Sequence, residues 1–206
     1  MTNTVLVVGG DYAIERMFED RGWEVVRFLT DEPDLVVFTG GADVSPNLYG
    51  EPNFASTTNN QRDEFERLVY RDAVELGLKM AGICRGGQFL NVMNGGRMYQ
   101  DVDSHAIAGT HSLIDVDTGE EVQVTSTHHQ MMRPLFPDAK LVALANLGGE
   151  KRYWDDSIKS VTDETDYEVL WYENSKSLCF QPHPEYGVKS TTDYFFQLLE
   201  RYHGVS

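Results

Sequence analysis

Lys79-Met80-Ala81-Gly82-Ile83-Cys84-Arg85-Gly86-Gly87, residues 79–87, is the stretch whose reading decides the fold. Lys79 to Ile83 has the short apolar pattern of a buried strand. It runs straight into Cys84 and a glycine-rich helix start. The spacing Gly82-x-Cys84-x-Gly86 between strand and helix is the context a nucleophile elbow requires. The turn is so tight that a side chain on either flank would strike the neighbouring strand or helix. Such an elbow lifts the cysteine above the sheet at a helix N-terminus, where partial positive charge favours thiolate over thiol. A plainer reading also fits these residues: a buried cysteine at a strand end, with turn glycines beside it.

Working outward, Val5-Leu6-Val7-Val8 before Gly9-Gly10 reads as a buried parallel strand ending in a turn. Tyr12 to Arg21 carries Ile14, Met17 and Phe18 at helical spacing, with Gly22 as its stop. Trp23 to Phe28 and Asp34 to Thr39 read as further strands, the second broken by Gly40-Gly41. From Asp63 to Leu78 the pattern is helical, with Phe65, Leu68, Val69, Ala73 and Leu76 on one face. This alternation predicts an α/β domain around a mostly parallel central sheet flanked by helices. The second half is more β-like. Strands are expected over Glu121 to Thr125 and Leu141 to Leu147, with a hairpin pairing Tyr167 to Tyr172 with Ser177 to Phe180. A last helix is expected from Thr192 to Tyr202. Gly148 to Asp166 is polar and charge-rich and reads as a loop or insertion. The size prior gives no reason to split the 206 residues, so one domain over 1–206 is expected.

Thirty-three acidic residues against seventeen basic ones give a formal net charge of −16. Such a chain repels nucleic-acid phosphates and anionic lipid, which excludes both as default partners. Two cysteines, Cys84 and Cys179, are too few for a disulfide framework. No stretch approaches the roughly 20 apolar residues that span a bilayer, and the first residues lack the basic and apolar regions of a signal peptide. A cytoplasmic protein is expected.

A thiolate nucleophile needs a base, and the base needs an orienting group. Gln181-Pro182-His183-Pro184-Glu185 supplies both types. Its two prolines disfavour helix, so His183 and Glu185 lie two apart on extended backbone and leave it on the same side. A carboxylate there fixes the histidine tautomer and stabilises the imidazolium. Alone, this string would also serve as a turn.

Together these motifs resemble the class I glutamine amidotransferase superfamily, most closely its γ-glutamyl-γ-aminobutyrate hydrolase branch. Matching segments are Gly40 to Glu51 (GGADVSPNLYGE), Arg62-Asp63-Glu64-Phe65-Glu66, the elbow with Gln88, Asn91-Val92 through Gly95-Gly96 to Gln100-Asp101, and Ser126-Thr127-His128-His129-Gln130. They cover residues 36–186 in the right order. The resemblance implies a flavodoxin-like fold with Cys84 as nucleophile, His183 as proton shuttle and Glu185 as its orienter. It implies an oxyanion hole from the backbone N–H groups of Gly41 and Arg85, and substrate contacts from Gln88, Ser126, His128, His129 and Gln130. For His128 and His129 a hydrogen-bonded structural role stands beside the binding one. Neither has the acidic or cysteine company of a metal site, so no metal and no cofactor are expected. The branch's usual Q-W-H-P-E reads here as Gln181-Pro182-His183-Pro184-Glu185, which places proline at an aromatic wall position.

Three functions follow. A stand-alone hydrolase would release glutamate from a γ-glutamyl-substituted amine, a small-molecule substrate. A glutaminase subunit would pass ammonia to a separate synthase, since the chain carries no G-x-x-x-x-G-K-[ST] phosphate loop. A catalytically silent binding protein would keep the fold alone. A homodimer is compatible with each. Gly148 to Asp166 either lines the site and selects the leaving amine or is a surface insertion, and Cys179 is expected in the core.

Overall fold

The computed structural model describes residues 2–162 and 165–205. The chain runs β1 (Thr4–Val8), α1 (Tyr12–Glu19), β2 (Glu24–Val26), β3 (Leu35–Phe38), α2 (Asn60–Glu75), β4 (Met80–Ile83) and α3 (Arg85–Met93). Six strands follow: β5 (Arg97–Tyr99), β6 (Asp101–Val102), β7 (Ala106–Asp115), β8 (Glu121–Thr127), β9 (Met131–Arg133) and β10 (Lys140–Ala145). The chain closes with β11 (Lys151–Trp154), β12 (Ile158–Val161), β13 (Asp166–Tyr172), β14 (Ser177–Phe180) and α4 (Lys189–His203).

The fold is α/β, with a central nine-stranded sheet in the order β2-β1-β3-β4-β14-β13-β10-β7-β8 and helices on its faces. Pairing is parallel from β2 to β14, the half that carries Cys84. From β14 to β8 the wing is antiparallel, entered through the β13–β14 hairpin. Side chains alternate across the parallel half because successive strand residues point to opposite faces. Val5, Val7, Leu35, Val37 and Ile83 pack with Phe18 of α1 and Phe195 and Leu199 of α4. Leu6, Val8, Val36, Phe38 and Met80 pack on the other face with Phe89 and Leu90 of α3. Burying each such side chain contributes about 1.5–3 kcal/mol.

The helix ends follow from their caps. The Asp11 carboxylate accepts from the Ala13 and Ile14 amides at 3.0 and 3.1 Å to start α1, and Asn59 accepts from Arg62 N at 3.1 Å to start α2. In α2 the buried face differs from the apolar one read in the sequence. Phe65, Leu68 and Leu76 are exposed, while Asp63 and Glu66 are buried. The reason is Arg85, which is itself buried and takes both carboxylates as ion partners. The exposed side of α2 lines, through Phe65 and Val69, a cavity of about 530 Å³ with Leu6 to Gly10 and Phe28. None of its lining residues belongs to the Cys84, His183 and Glu185 group.

Residues 148–166 are a second correction: instead of a loop they hold the β11–β12 hairpin, which pairs antiparallel with β6. The segment is charged because the hairpin is anchored by charge. Arg152 pairs with Asp101 at 2.5 Å and with Asp103 at 3.2 Å, and also with Glu150. Residues 163 and 164 lie outside the described residues. Strands β5, β6, β7 and β9 were not anticipated. Among the described residues no helix is long and apolar enough to cross a membrane.

Candidate active site

Strands β4 and β14 are parallel neighbours, with Ile83 opposite Phe180, so the residues after each emerge at the same sheet edge. Ligands in open α/β sheets collect at this edge. Cys84 N donates to Phe180 O at 2.7 Å, joining the two strand ends. The chain then turns sharply at Cys84, which adopts φ 50° and ψ −110°. A non-glycine residue in such a region stores about 1–3 kcal/mol of strain. The glycines permit the turn by leaving no side chain in the way. A Cβ on Gly82 would lie 2.3 Å from the Gly86 carbonyl, and one on Gly86 would lie 2.1 Å from Phe38 O.

His183 arrives from the segment after β14, and its Nδ1 lies 2.6 Å from Glu185 Oε1, with both side chains less than a tenth exposed. The backbone of His183 is pinned by Thr125 of β8. Thr125 Oγ1 accepts from His183 N at 2.8 Å and donates to His183 O at 3.1 Å. Tyr186 stacks on the imidazole, with ring centroids 4.3 Å apart and planes 5° from parallel. Burial pushes the His183 imidazole down, but its contacts with the Cys84 sulfur and the Glu185 carboxylate outweigh that and raise it to about 10. An imidazolium beside sulfur is the partner that a thiolate nucleophile needs.

Gln88 and Gln181 form a chain behind the sulfur. Gln88 Nε2 donates to Gln181 Oε1 at 3.2 Å and to Gln130 O at 3.1 Å, and Gln181 Nε2 donates to Cys84 Sγ at 3.6 Å. The first contact fixes which end of the Gln181 amide meets the sulfur. No role was expected of Gln181, although it opens the Q-P-H-P-E string. Arg85 N belongs to the first turn of α3, whose amides have no intrahelical partner. Gly40 faces the same place: a Cβ there would lie 3.1 Å from His183 Cε1 and 3.8 Å from Cys84 Cβ. Gly41 follows with φ 126°, where glycine is strongly favoured.

The remaining expected contacts divide. His129 is partly exposed, and its Nε2 lies 3.1 Å from Asp43 Oδ1. Gln130 is buried and donates to Ser56 Oγ at 2.8 Å and Gln100 O at 2.9 Å. Ser126 and His128 are buried in the antiparallel wing. Ser126 Oγ donates to His105 O, and His128 Nδ1 donates to Gln130 O at 2.8 Å. His128 Nε2 then lies 3.4 Å from Glu168 Oε1, and His111 Nε2 lies 3.3 Å from the same oxygen. His105 stands beside them, 3.6 Å from Asp166, which pairs with Lys151 at 2.7 Å. Burial opposes the Glu168 charge, but His128 and His111 outweigh it and hold the carboxyl below the usual carboxylate range. Among the described residues no group of three or more His, Cys, Asp or Glu side chains is arranged to hold a metal ion. Cys179 lies in the core, fully buried, and burial pushes its thiol up.

Comparison with known proteins agrees with this architecture. The family model for Peptidase C26 matches residues 19–150. The glutamine amidotransferase-like protein YvdE of Lactococcus lactis subsp. lactis is 34% identical over 162 residues, 64% of this chain and 69% of that protein. Protein NtpR of Enterococcus hirae is 34% identical over 137 residues, 56% of this chain and 57% of that protein. Two solved structures share the fold. One is a protein from Thermoplasma acidophilum assigned to GMP synthase as one of its subunits, with TM-score 0.65, 18% identity and coverage of 99% of this chain and 94% of that one. The other is a glutamine amidotransferase from Thermotoga maritima, with TM-score 0.60, 16% identity and coverage of 98% and 85%. The chain belongs to the Peptidase C26 family, within the class I glutamine amidotransferase-like superfamily.

Proposed function

We propose that this member of the family hydrolyses the γ-glutamyl amide bond of a γ-glutamyl-substituted amine, with Cys84, His183 and Glu185 as its triad. The observation that carries this reading is the meeting of Cys84, held at positive φ, with the buried His183–Glu185 pair at the edge of β4 and β14. The Cys84 thiolate attacks the γ-carbonyl carbon, and the oxyanion is met by the N–H groups of Arg85 and Gly41. As the C–N bond breaks, the His183 imidazolium gives its proton to the departing amine, leaving a γ-glutamyl thioester. Neutral His183 then takes a proton from water, whose oxygen attacks the thioester carbonyl. Collapse of that intermediate expels the Cys84 thiolate and frees glutamate. Glu185 holds the ring by its Nδ1 and stabilises each imidazolium stage. An oxyanion donor of this kind contributes about 3–4 kcal/mol to transition-state stabilisation.

Of the five further residues expected to touch substrate, we assign that role to His129, whose side chain is partly exposed. Gln88, Ser126, His128 and Gln130 act from behind through their hydrogen bonds to Gln181, His105 and the backbone.

A second reading, a glutaminase that passes ammonia to a separate synthase, draws support from the structural likeness to a protein assigned to GMP synthase. Glutamate release by the purified chain alone separates the two, with glutamine compared against a panel of γ-glutamyl amines. Rapid release from one substituted amine with little from glutamine supports the hydrolase. Feeble release throughout, restored by a synthase, overturns it, and full activity in Cys84→Ala overturns the triad.

A further inference from the structure

We infer that Arg62 is a positioning residue, whose guanidinium fixes the Gly40–Gly41 peptide so that the Gly41 N–H faces the carbonyl under attack at Cys84. The inference rests on the reading of Gly41 as an oxyanion donor.

A peptide between two glycines is easily turned over, because neither residue has a Cβ to restrict it. Something must therefore choose its orientation. Arg62 Nη1 donates to Gly40 O at 2.8 Å, and Nη2 donates to Thr39 O at 2.8 Å and to Thr39 Oγ1 at 3.0 Å. One planar fork thus grips two successive carbonyls, a geometry that an ammonium cannot reproduce. In a trans peptide the C=O and the following N–H point in opposite directions. With Gly40 O held towards Arg62, the Gly41 N–H is directed away from it. Gly40 itself abuts His183 and Cys84, so the free side of the peptide is the side of the nucleophile. Among the described residues the Gly41 N–H finds no acceptor, which leaves it available to a ligand. The approach is also close: a Cβ on Gly41 would lie 2.5 Å from Arg62 Nη1.

Arg62 does not act alone. Its Nε donates to Glu66 Oε1 at 2.8 Å, and Glu66 also pairs with Arg85, the residue whose N–H is the other proposed donor. Arg85 pairs with Asp63, whose Oδ2 accepts from Ser45 N at 3.2 Å in the loop after β3. A single buried ionic network on the first turns of α2 therefore ties both halves of the oxyanion hole together. This also accounts for the inward-facing carboxylates of α2.

The test compares wild type with Arg62→Ala and Arg62→Lys. Turnover is followed with γ-glutamyl-p-nitroanilide and a panel of γ-glutamyl amines, and Cys84 reactivity with iodoacetamide, an alkylation that forms no oxyanion. Cys179 is fully buried, so the alkylation reports Cys84. The expected result is a fall in kcat of about 10- to 100-fold in both variants. KM and the alkylation rate should stay within about threefold of wild type. Should Arg62→Ala fail to fold, Arg62→Lys, which keeps the charge beside Glu66, carries the same comparison at a melting temperature measured alongside. Unchanged kcat, or alkylation falling in step with kcat, overturns the inference. A wild type that releases nothing from any γ-glutamyl amide overturns the reading on which it stands.

Discussion

Replacing Glu185 by Gln tests the charge logic of the site most directly. Its carboxylate lies 2.6 Å from His183 Nδ1 in a buried setting. Together with Cys84 it outweighs burial and lifts the imidazole from 6.5 to about 10, a preference for the protonated ring of roughly 5 kcal/mol. The unfolded chain titrates near 6.5. This preference therefore stabilises the fold fully below that pH and is lost as pH climbs through about 10. Catalysis carries the same sign in the proposed mechanism, where departure of the amine takes the imidazolium proton. Wild-type kcat/KM should hold through neutral pH and decline on the alkaline side near 10. A hydrogen bond to a charged partner contributes about 1.5–3 kcal/mol. With a neutral amide at 185, the alkaline limb should move down by about 1.5 pH units, to roughly 8.5. The assay is the pH profile of kcat/KM for the best γ-glutamyl amide, wild type beside Glu185→Gln. Superimposable alkaline limbs would refute the assignment of Glu185 as the group that holds the His183 charge.

Gly86→Ala should cripple the elbow, since its Cβ would lie 2.1 Å from Phe38 O. Relief requires α3 to move from β3, at a cost of about 1–3 kcal/mol and most of the activity, read by melting temperature and turnover. Glu168→Gln should remove the anion facing His111 and His128 and lower stability by about 3 kcal/mol, roughly 6–12 °C in Tm. An unshifted melting curve would show that the wing does not depend on this charge. Cys179→Ala should leave kcat unchanged, whereas Cys84→Ala should abolish turnover with the circular dichroism spectrum preserved. Loss of activity in Cys179→Ala without unfolding would reverse their roles.

The parallel half was legible because its signals are local. Apolar runs ending in glycine pairs mark β1 and β3, and Gly82-x-Cys84-x-Gly86 marks the turn after β4. The pairing of β4 with β14 is not local, and no local pattern marks it. The antiparallel wing was harder to read. In β8 the buried residues include Thr125, Ser126 and, just beyond, His128, so polar residues occupy positions that an apolar pattern would claim. The β11–β12 hairpin hides its pairing in charge, because Arg152 is held by the acids of its neighbours. In α2 the error had the same origin. Asp63 and Glu66 lie outside the apolar face read there, and Arg85, on the next helix, turns them inward.

That shared origin points to what the buried charges do. An ion network inside a protein rarely adds stability over an apolar core of the same volume, and breaking one partner is costly. Two such networks among the described residues end on residues of the proposed site. Arg62, Glu66, Arg85 and Asp63 reach the Gly40 carbonyl and the residue after Cys84. In the wing, His105, His111, His128 and Glu168 flank the segment on which Thr125 clamps the His183 backbone and Gln130 O receives Gln88. Apolar packing would hold these segments with equal energy but without fixing the direction of a peptide or a ring. Directional bonds settle those angles, and the thiolate chemistry proposed here needs its donors and its base aimed before the substrate arrives.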